Sequence, residues 1–135
     1  MILKVCGESM APLLSPGEIV RAERTPVESL RSGDVIVFLT FKSVSLGMKE
    51  LAIHRLLFKT RGTDGYWRLW AKPDKRWRPN EWPIPASAVL GKVTAISRDG
   101  NNWSGIPSIG RLKCRALGLV ARLYLLATGR ASSPP

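Results

Sequence analysis

Short apolar segments separated by turn residues run through the first 97 positions of the chain, and this alternation limits the folds open to it. The segments are rich in β-branched and aromatic residues, which favour strands. They are Glu18 to Ala22, Asp34 to Thr40, Leu51 to Lys59, Tyr66 to Ala71 and Val89 to Ile96. Turn residues separate them at 15–17, 31–34, 61–65 and 79–85. This spacing predicts a mainly antiparallel β-domain rather than βαβ units.

The end of the chain changes to a helical pattern. From Ile109 to Thr128 the apolar residues recur with three- and four-residue spacing, at positions 109, 112, 116, 119, 120, 123 and 126. Arg111, Arg115 and Arg122 fall together on another face, because residues four and seven apart meet on a helix. The pattern predicts a basic amphipathic helix that either covers the β-domain or lies in a membrane interface, with its arginines toward anionic headgroups.

Length and composition are those of one folded unit. With 135 residues and 44% apolar content, the chain is expected to fold around a modest core. We expect a β-rich domain over 1–97, a polar linker over 98–108 and the amphipathic helix over 109–129. No signal peptide and no apolar run of about 18 residues is visible, so the localisation is left unassigned, with peripheral membrane association open.

Charge is unevenly distributed along the chain. The net charge is +11, and residues 1–50 balance six Lys/Arg against six Asp/Glu. Residues 51–135 hold fifteen Lys/Arg against four Asp/Glu and supply the whole excess. This asymmetry indicates an anionic partner, either a lipid surface or nucleic acid.

Tryptophan is concentrated in the same basic half. The five residues are Trp67, Trp70, Trp77, Trp82 and Trp103, interleaved with lysines and arginines. The pattern is typical of membrane interfaces and of stacking on single-stranded nucleic acid, and also of rings that cover a β-core beside solvated cations. Nucleic acid is not the expected partner, because no recognisable helix-turn-helix or RNA-binding motif accompanies the charge.

The two cysteines do not suggest a metal or redox centre. Cys6 and Cys114 are far apart, and their spacing matches no zinc or redox motif. Partly buried free thiols are expected, with a disulfide between them left open. We expect no metal and no cofactor.

A serine box follows the apolar start of the chain, with the sequence Gly7-Glu8-Ser9-Met10-Ala11-Pro12. Glycine before a serine lets the backbone approach a bound acyl group, and Pro12 restricts the loop. Taken alone, the box is a turn. Four later segments accompany it, namely Ser-Gly-Asp-Val-Ile-Val-Phe at 32–38, Ile-His-Arg-Leu at 53–56, Ala-Lys-Pro-Asp at 71–74 and Val-Leu-Gly-Lys-Val at 89–93.

A serine hydroxyl needs an adjacent base to become a nucleophile. The chain has a single histidine, His54, in an alternating strand where it would share a face with Ala52 and Leu56. It is therefore either a packed core residue or the base. Asp74 lies past one hairpin and its return strand, and an antiparallel return brings it back toward His54.

Together these motifs, over roughly residues 5 to 97, resemble the type I signal peptidase family, which shares its β-fold with the self-cleaving domains of LexA-type repressors. The chain is most similar to the branch of archaea, the endoplasmic reticulum and some bacteria, where histidine replaces lysine. The resemblance implies a serine endopeptidase that cleaves the leader or signal peptide of a precursor after a small residue. Ser9 would be the nucleophile, His54 the base and Asp74 the orienting acid.

The resemblance also implies how substrate is held. An extended peptide would add to a β-edge near the serine, as in other strand-addition complexes. Met10 and Ile53 would line the pocket for a small side chain, and the backbone amides around Gly7 and Ser9 would stabilise the oxyanion. Asp34 would be structural, capping a turn.

Two residues depart from the family pattern. Pro73 replaces a glycine, and Asn80 stands where many relatives have a further aspartate, with Glu81 beside it. Asparagine cannot offset an imidazolium charge, so Asp74 acts as the acid, or Glu81 substitutes, or activity is weak.

Two other functions compete with the protease. One is a catalytically silent basic module that binds nucleic acid or an anionic membrane surface. The other, a self-cleaving regulator, is disfavoured because the only small-residue–glycine pair before Ser9 is Cys6-Gly7, too near the nucleophile to reach it.

Overall fold

One antiparallel sheet and one helix make up the part of the chain that the computed structural model describes, which is residues 1–43, 48–76, 78–80, 82–107 and 111–128. The strands are β1 (Ile2–Lys4), β2 (Ile19–Glu23), β3 (Val35–Ser43), β4 (Met48–Arg61), β5 (Trp67–Lys72), β6 (Ile84–Pro85), β7 (Val89–Ser97) and β8 (Trp103–Gly105). The helix α1 is Arg111–Ala127, and short 3₁₀ turns at Val27–Ser29 and Ala86–Ala88 precede β3 and β7. This architecture confirms the predicted fold class, a mainly β domain with a C-terminal helix.

The strand order is β1-β2-β7-β3-β4-β5-β6, with β8 paired to β7. Along one edge β7 pairs with β2, and along the other it pairs first with β3 and then with β8. In the β3-β4-β5 meander, Ile36 lies opposite His54 and Arg55 lies opposite Lys72. This register decides which face of the sheet carries each candidate site residue.

The sheet is covered by apolar side chains on both faces. Successive residues of a strand point to opposite faces, so the residues of β3 divide between two clusters. The first cluster is Val5, Met10, Leu14, Val20, Ala22, Val35, Val37, Val93 and Ile96. The second is Leu30, Ile36, Phe38, Leu56, Leu69, Ala71, Ile84 and Ala88. Full burial of one large side chain of this kind stabilises the fold by about 1.5–3 kcal/mol, so both faces contribute.

The five strands predicted from the sequence are present with small shifts in their ends. β1, β6 and β8 were not predicted, because strands of two or three residues are too short to show an alternating pattern. β8 also lies inside the segment 98–108 that was expected to be a linker. It returns to β7 through a turn in which the Asp99 carboxylate accepts hydrogen bonds from the amides of Asn101 and Asn102.

The helix confirms the predicted C-terminal element within narrower bounds, and positions 109, 110 and 129 of the prediction lie outside the described residues. Within the described ranges, no helix is long and apolar enough to cross a membrane. Cys6 is a free and exposed thiol, contrary to the expected partial burial, and the side chain of Cys114 is not among those described.

Candidate active site

The serine box and the two residues after it form a turn, called the serine turn below, which is anchored by its apolar residues. Met10 is only 2% exposed and Leu14 is also buried, and both belong to the first cluster. The Leu14 amide donates to the Met10 carbonyl at 2.9 Å, and the Ala11 amide donates to the Glu8 carbonyl at 3.0 Å. Ser9 is exposed. The turn therefore buries Met10 and leaves the neighbouring hydroxyl accessible to a substrate.

The backbone next to the serine has unused donors. Neither the Gly7 nor the Ser9 amide donates a hydrogen bond to any residue in the described ranges. A methyl group built at Gly7 would meet nothing within 4 Å, so the space beside it is open. Two amides of this kind meet the chemical requirement for stabilising a developing oxyanion.

An ion pair between buried Arg55 and partly buried Asp74 joins β4 to the segment that follows β5. The Arg55 Nε donates to Asp74 Oδ1 at 2.8 Å, and Nη2 donates to Oδ2 at 2.7 Å. Arg55 Nη1 donates to the Gly33 carbonyl at 2.9 Å. Both carboxylate oxygens of Asp74 are thus held by one guanidinium in a bidentate pair, the strongest geometry for this contact.

The same segment contacts the serine box. The Asp74 amide lies 3.4 Å from the Met10 sulfur as a donor, and the Lys75 amide donates to the Ser9 carbonyl at 3.0 Å. On the surface, Lys75 Nζ pairs with the Glu8 carboxylate at 2.6 Å. Through these contacts the Arg55–Asp74 pair connects the serine box to the strand that carries His54.

His54 is half-buried on the other face of β4. Its ring meets Phe38 edge-on, with centroids 5.4 Å apart and planes at 65°. The predicted companions Ala52 and Leu56 belong to that same side, in or against the second cluster. The imidazole Nδ1 is buried and has no hydrogen-bond partner among the described residues. Burial lowers the pKa of His54 to about 4, so the ring is neutral near pH 7.

Four polar or charged residues after β5 or at its end act on the imidazole. The interaction of the ring with the Asn80 side chain raises the His54 pKa, and the nearby charge of Arg76 lowers it. Asp74 raises this pKa and Lys72 lowers it, both through charge and by smaller amounts. The Asn80 side chain therefore acts on the imidazole through a hydrogen-bonding interaction, whereas the oxygens of Asp74 are bound to Arg55 and act on the ring through charge.

Ser9 and His54 are brought to the same segment but are not bonded to each other. Ser9 meets this segment through its carbonyl, at Lys75, and His54 meets it through its ring, at Asn80. Among the described residues, no hydrogen bond joins the Ser9 hydroxyl to the imidazole. Successive side chains of β4 point to opposite faces of the sheet, and this explains the separation. Ile53 packs on the first cluster, which contains Met10, whereas His54 faces Phe38.

Comparisons of the chain with protein-family models, with curated proteins and with solved structures found no match. The described residues also contain no group of three His, Cys, Asp or Glu side chains able to hold a metal ion.

Lys72 is a site residue that the sequence interpretation did not single out. It is 9% exposed, its Nζ donates to the Pro73 carbonyl at 3.0 Å, and burial lowers its pKa. Because Lys72 lies opposite Arg55, its side chain belongs to the face of the first cluster, as Met10 does. A buried lysine of lowered pKa is a second candidate base. The signal in the sequence was the position of Lys72 two residues after Trp70 in β5, because this spacing puts the lysine on the same face of the strand as the tryptophan.

The predicted pocket residues Met10 and Ile53 lie in one place. Met10 is a member of the first cluster, and Ile53 is half-buried against that cluster. They form apolar surface next to the serine turn, and their role in accepting a small substrate side chain stays a prediction. Glu81, the alternative acid, lies outside the described residues.

The tryptophans have mixed environments. Trp70 is buried and stacks on Phe58, with centroids 6.0 Å apart. The ring of Trp67 has Lys59 Nζ at 4.9 Å, and the ring of Trp103 has the Arg21 guanidinium at 4.3 Å. Trp82 is exposed, and Trp77 lies outside the described residues. Intramolecular cations thus already cover one face of two of the rings that could stack on bases.

Proposed function

We propose that the protein is a serine endopeptidase that cleaves a leader or signal peptide from a precursor after a small residue. The observation that carries the proposal is the state of the only histidine. His54 has a buried Nδ1 without a described partner and a pKa lowered to about 4, beside a segment bonded to the serine turn. A neutral imidazole can accept the proton of a serine hydroxyl, and Ser9 is exposed on the turn that this segment holds.

The mechanism follows the acyl-enzyme route. His54 accepts the Ser9 proton as the hydroxyl attacks the scissile carbonyl, and the negative oxygen is stabilised by the Gly7 and Ser9 amides. The imidazolium returns that proton to the leaving amine, which departs with its peptide. Water, deprotonated by the same imidazole, then hydrolyses the ester and restores both groups. A shift of the exposed serine turn toward the ring on substrate binding is part of this proposal.

The other residues act on the imidazole rather than on substrate. Asn80 orients the ring through its side-chain interaction. Asp74 holds the serine turn to β4 through Arg55, and its charge favours the imidazolium that forms during the reaction. In a catalytic triad one aspartate both orients the imidazole and stabilises the imidazolium. Here Asn80 would orient the ring and Asp74 would supply the negative charge.

Strand addition is supported by the position of β1. It is the terminal strand of the sheet order, and its outer edge has no partner among the described residues. The chain passes from β1 directly into the serine turn. An extended peptide that pairs with this edge would run alongside Ser9.

The test combines labelling and cleavage. A serine-directed acylating inhibitor, with mapping of the modified residue by mass spectrometry, is expected to label Ser9 and to lose that label in His54→Ala. Cleavage of a precursor peptide containing Ala-X-Ala is expected to fall by about 10³-fold or more in both Ser9→Ala and His54→Ala. Ser15→Ala is the matched control, since Ser15 is an exposed serine of the same loop.

Two outcomes separate the alternatives. Cleavage that needs Ser9 and survives His54→Ala, but is lost in Lys72→Met, would transfer the base role to Lys72. Turnover that is unchanged in Ser9→Ala would end the protease proposal.

A catalytically silent module that binds an anionic surface is the alternative function. The net charge of +11 and the exposed cations Lys75 and Arg76 favour it. Mobility shifts with single- and double-stranded DNA across a salt series, beside sedimentation with anionic vesicles, test it independently of cleavage. Absence of labelling at Ser9 together with salt-sensitive binding would favour this module over the enzyme.

A further inference from the structure

The helix α1 is held to the sheet by a face of small residues. A methyl group built at Gly118 would lie 3.3 Å from the Leu57 carbonyl, so the helix backbone approaches β4 closely there. Ala121 and Leu125 are buried on the same face, three and seven positions further on. The Arg122 guanidinium lies over the Phe58 ring at 4.8 Å. These contacts fix which side of α1 faces the domain.

The opposite side of α1 is apolar and open. Its large residues are exposed by 60% (Leu119), 56% (Val120), 58% (Leu123) and 66% (Leu126). At about 100° per residue these positions fall within one sector of the helix, away from Gly118, Ala121 and Leu125. A contiguous group of this kind on a small domain marks an interaction surface, whereas single exposed apolar residues do not.

Charge indicates what covers this surface. The helix Arg111–Ala127 contains four Lys/Arg and no Asp/Glu. Three of the four, Arg111, Lys113 and Arg115, fall in its first five positions, where the positive end of the helix dipole disfavours them. A partner that brings anions to this end would offset that cost, and a second copy of the same helix would bring more cations.

A lipid surface supplies both requirements. Its acyl boundary accepts aliphatic side chains to a depth of about 5–10 Å, and anionic headgroups attract the lysines and arginines. Nucleic acid offers the anions but no apolar phase for four exposed aliphatic residues. We propose that α1 docks the protein on an anionic membrane surface, with Leu119, Val120, Leu123 and Leu126 inserted at the interface. This role does not depend on the chemistry at Ser9.

The experiment is flotation of the full chain with vesicles of phosphatidylcholine alone and of phosphatidylcholine mixed with phosphatidylglycerol. The wild-type protein is expected to bind the mixed vesicles and to bind them less as salt is raised. The double variant Leu123→Gln/Leu126→Gln is expected to bind roughly tenfold or more weakly. Leu51→Gln is the matched control, because Leu51 is an exposed leucine (47%) on β4, and it is expected to bind as the wild type does.

A second variant keeps the test independent of the first. Lys113→Gln/Arg115→Gln removes charge and no apolar surface, and it is expected to weaken binding to the mixed vesicles by roughly tenfold. Equal urea-unfolding midpoints confirm that the variants are folded. Binding by Leu123→Gln/Leu126→Gln at wild-type strength would overturn the proposal. So would a wild-type dimer in light scattering that this variant abolishes, because a second copy would then cover the face.

Discussion

Two neighbouring residues of β4, Arg55 and His54, are both withdrawn from solvent and have opposite surroundings. Arg55 makes three hydrogen bonds, two to Asp74 and one to Gly33. His54 keeps a buried Nδ1 with no partner among the described residues. Nearly all buried polar groups in proteins are paired. Arg55 follows this rule and stabilises the fold, whereas the unpaired Nδ1 of His54 is an exception that needs an explanation. The two faces of one strand thus differ in whether their polar side chains are satisfied.

The largest effect is expected on the Arg55 face. Arg55→Met leaves the Asp74 carboxylate, whose side chain is only 13% exposed, without its guanidinium, and an uncompensated charge costs up to about 3–5 kcal/mol when it is fully buried. The free energy of unfolding, measured by urea titration at pH 7, should fall by about 2–4 kcal/mol, since Asp74 keeps some contact with water. The serine turn should also loosen, since Asp74 and Lys75 hold it through Met10 and Ser9.

The control for this variant is Arg68→Met. Arg68 pairs with Asp64 through two hydrogen bonds, of 3.3 and 2.7 Å, and these side chains are 28% and 44% exposed. Water replaces such a partner readily, so the loss should be much smaller than for Arg55→Met. Equal losses in the two variants would mean that burial of the Arg55–Asp74 pair does not decide its contribution.

The next effect is on the His54 face and depends on pH. The His54 pKa is about 4 in the folded protein and about 6.5 when unfolded, so only the unfolded state takes up the proton between these values. The stability is complete above pH 6.5 and is lost as the pH falls toward 4, by about 3 kcal/mol. His54→Phe should remove this part of the pH dependence in urea titrations at pH 7, 5.5 and 4.

Carboxylates titrate at the acid end in both proteins, so the difference between wild type and His54→Phe is the quantity of interest. The chain has one histidine, and no second imidazole can contribute. Parallel stability profiles for the two proteins would show that the ring is not held neutral by burial.

The sequence predicted the strands and the orientation of their residues better than it predicted the contacts that Arg55 and His54 make with the segment after β5. Hydrophobic alternation fixed the longer strands and the sides on which Leu56 and Ile53 lie, because the period of two is a property of the local chain. The pairing of Arg55 with Asp74 was missed, since it depends on how the segment after β5 turns back across β4. Asn80 was identified by position as a residue that cannot offset an imidazolium charge, and its side chain interacts with the ring and raises the His54 pKa.

The same distinction applies to the helix. The spacing of apolar residues predicted α1 but not which side it buries. Gly118 and Ala121 contribute little to a hydrophobic pattern, yet their small size allows the close contact with β4. Shape complementarity between distant segments, rather than periodicity, selected that face.

Asn80 offers a sharper test of the His54 side. Asn80→Asp places a carboxylate at the imidazole and should raise the His54 pKa by about 1–3 units, since a nearby negative charge favours the imidazolium. Asn80→Ala removes an interaction that raises the pKa and should lower it further. Titration of the single imidazole by NMR measures both. Opposite shifts would establish the contact, and no shift in either variant would show that Asn80 does not interact with the ring.

The smallest effect concerns a charge at the rim of the site. Arg76 is exposed, and its charge lowers the His54 pKa, which keeps the ring able to accept a proton in more acidic solution. Arg76→Ala should raise this pKa by less than about one unit at low ionic strength, and less at high salt, because exposed charges are screened. The acid limb of the cleavage rate should move to higher pH by the same amount.

The control is Arg98→Ala, which removes an equally charged and highly exposed side chain (92%) that pairs with Glu18 instead. Equal shifts of the His54 pKa in both variants would mean that the net charge of the protein sets this pKa. The position of Arg76 close to the ring would then have no particular effect.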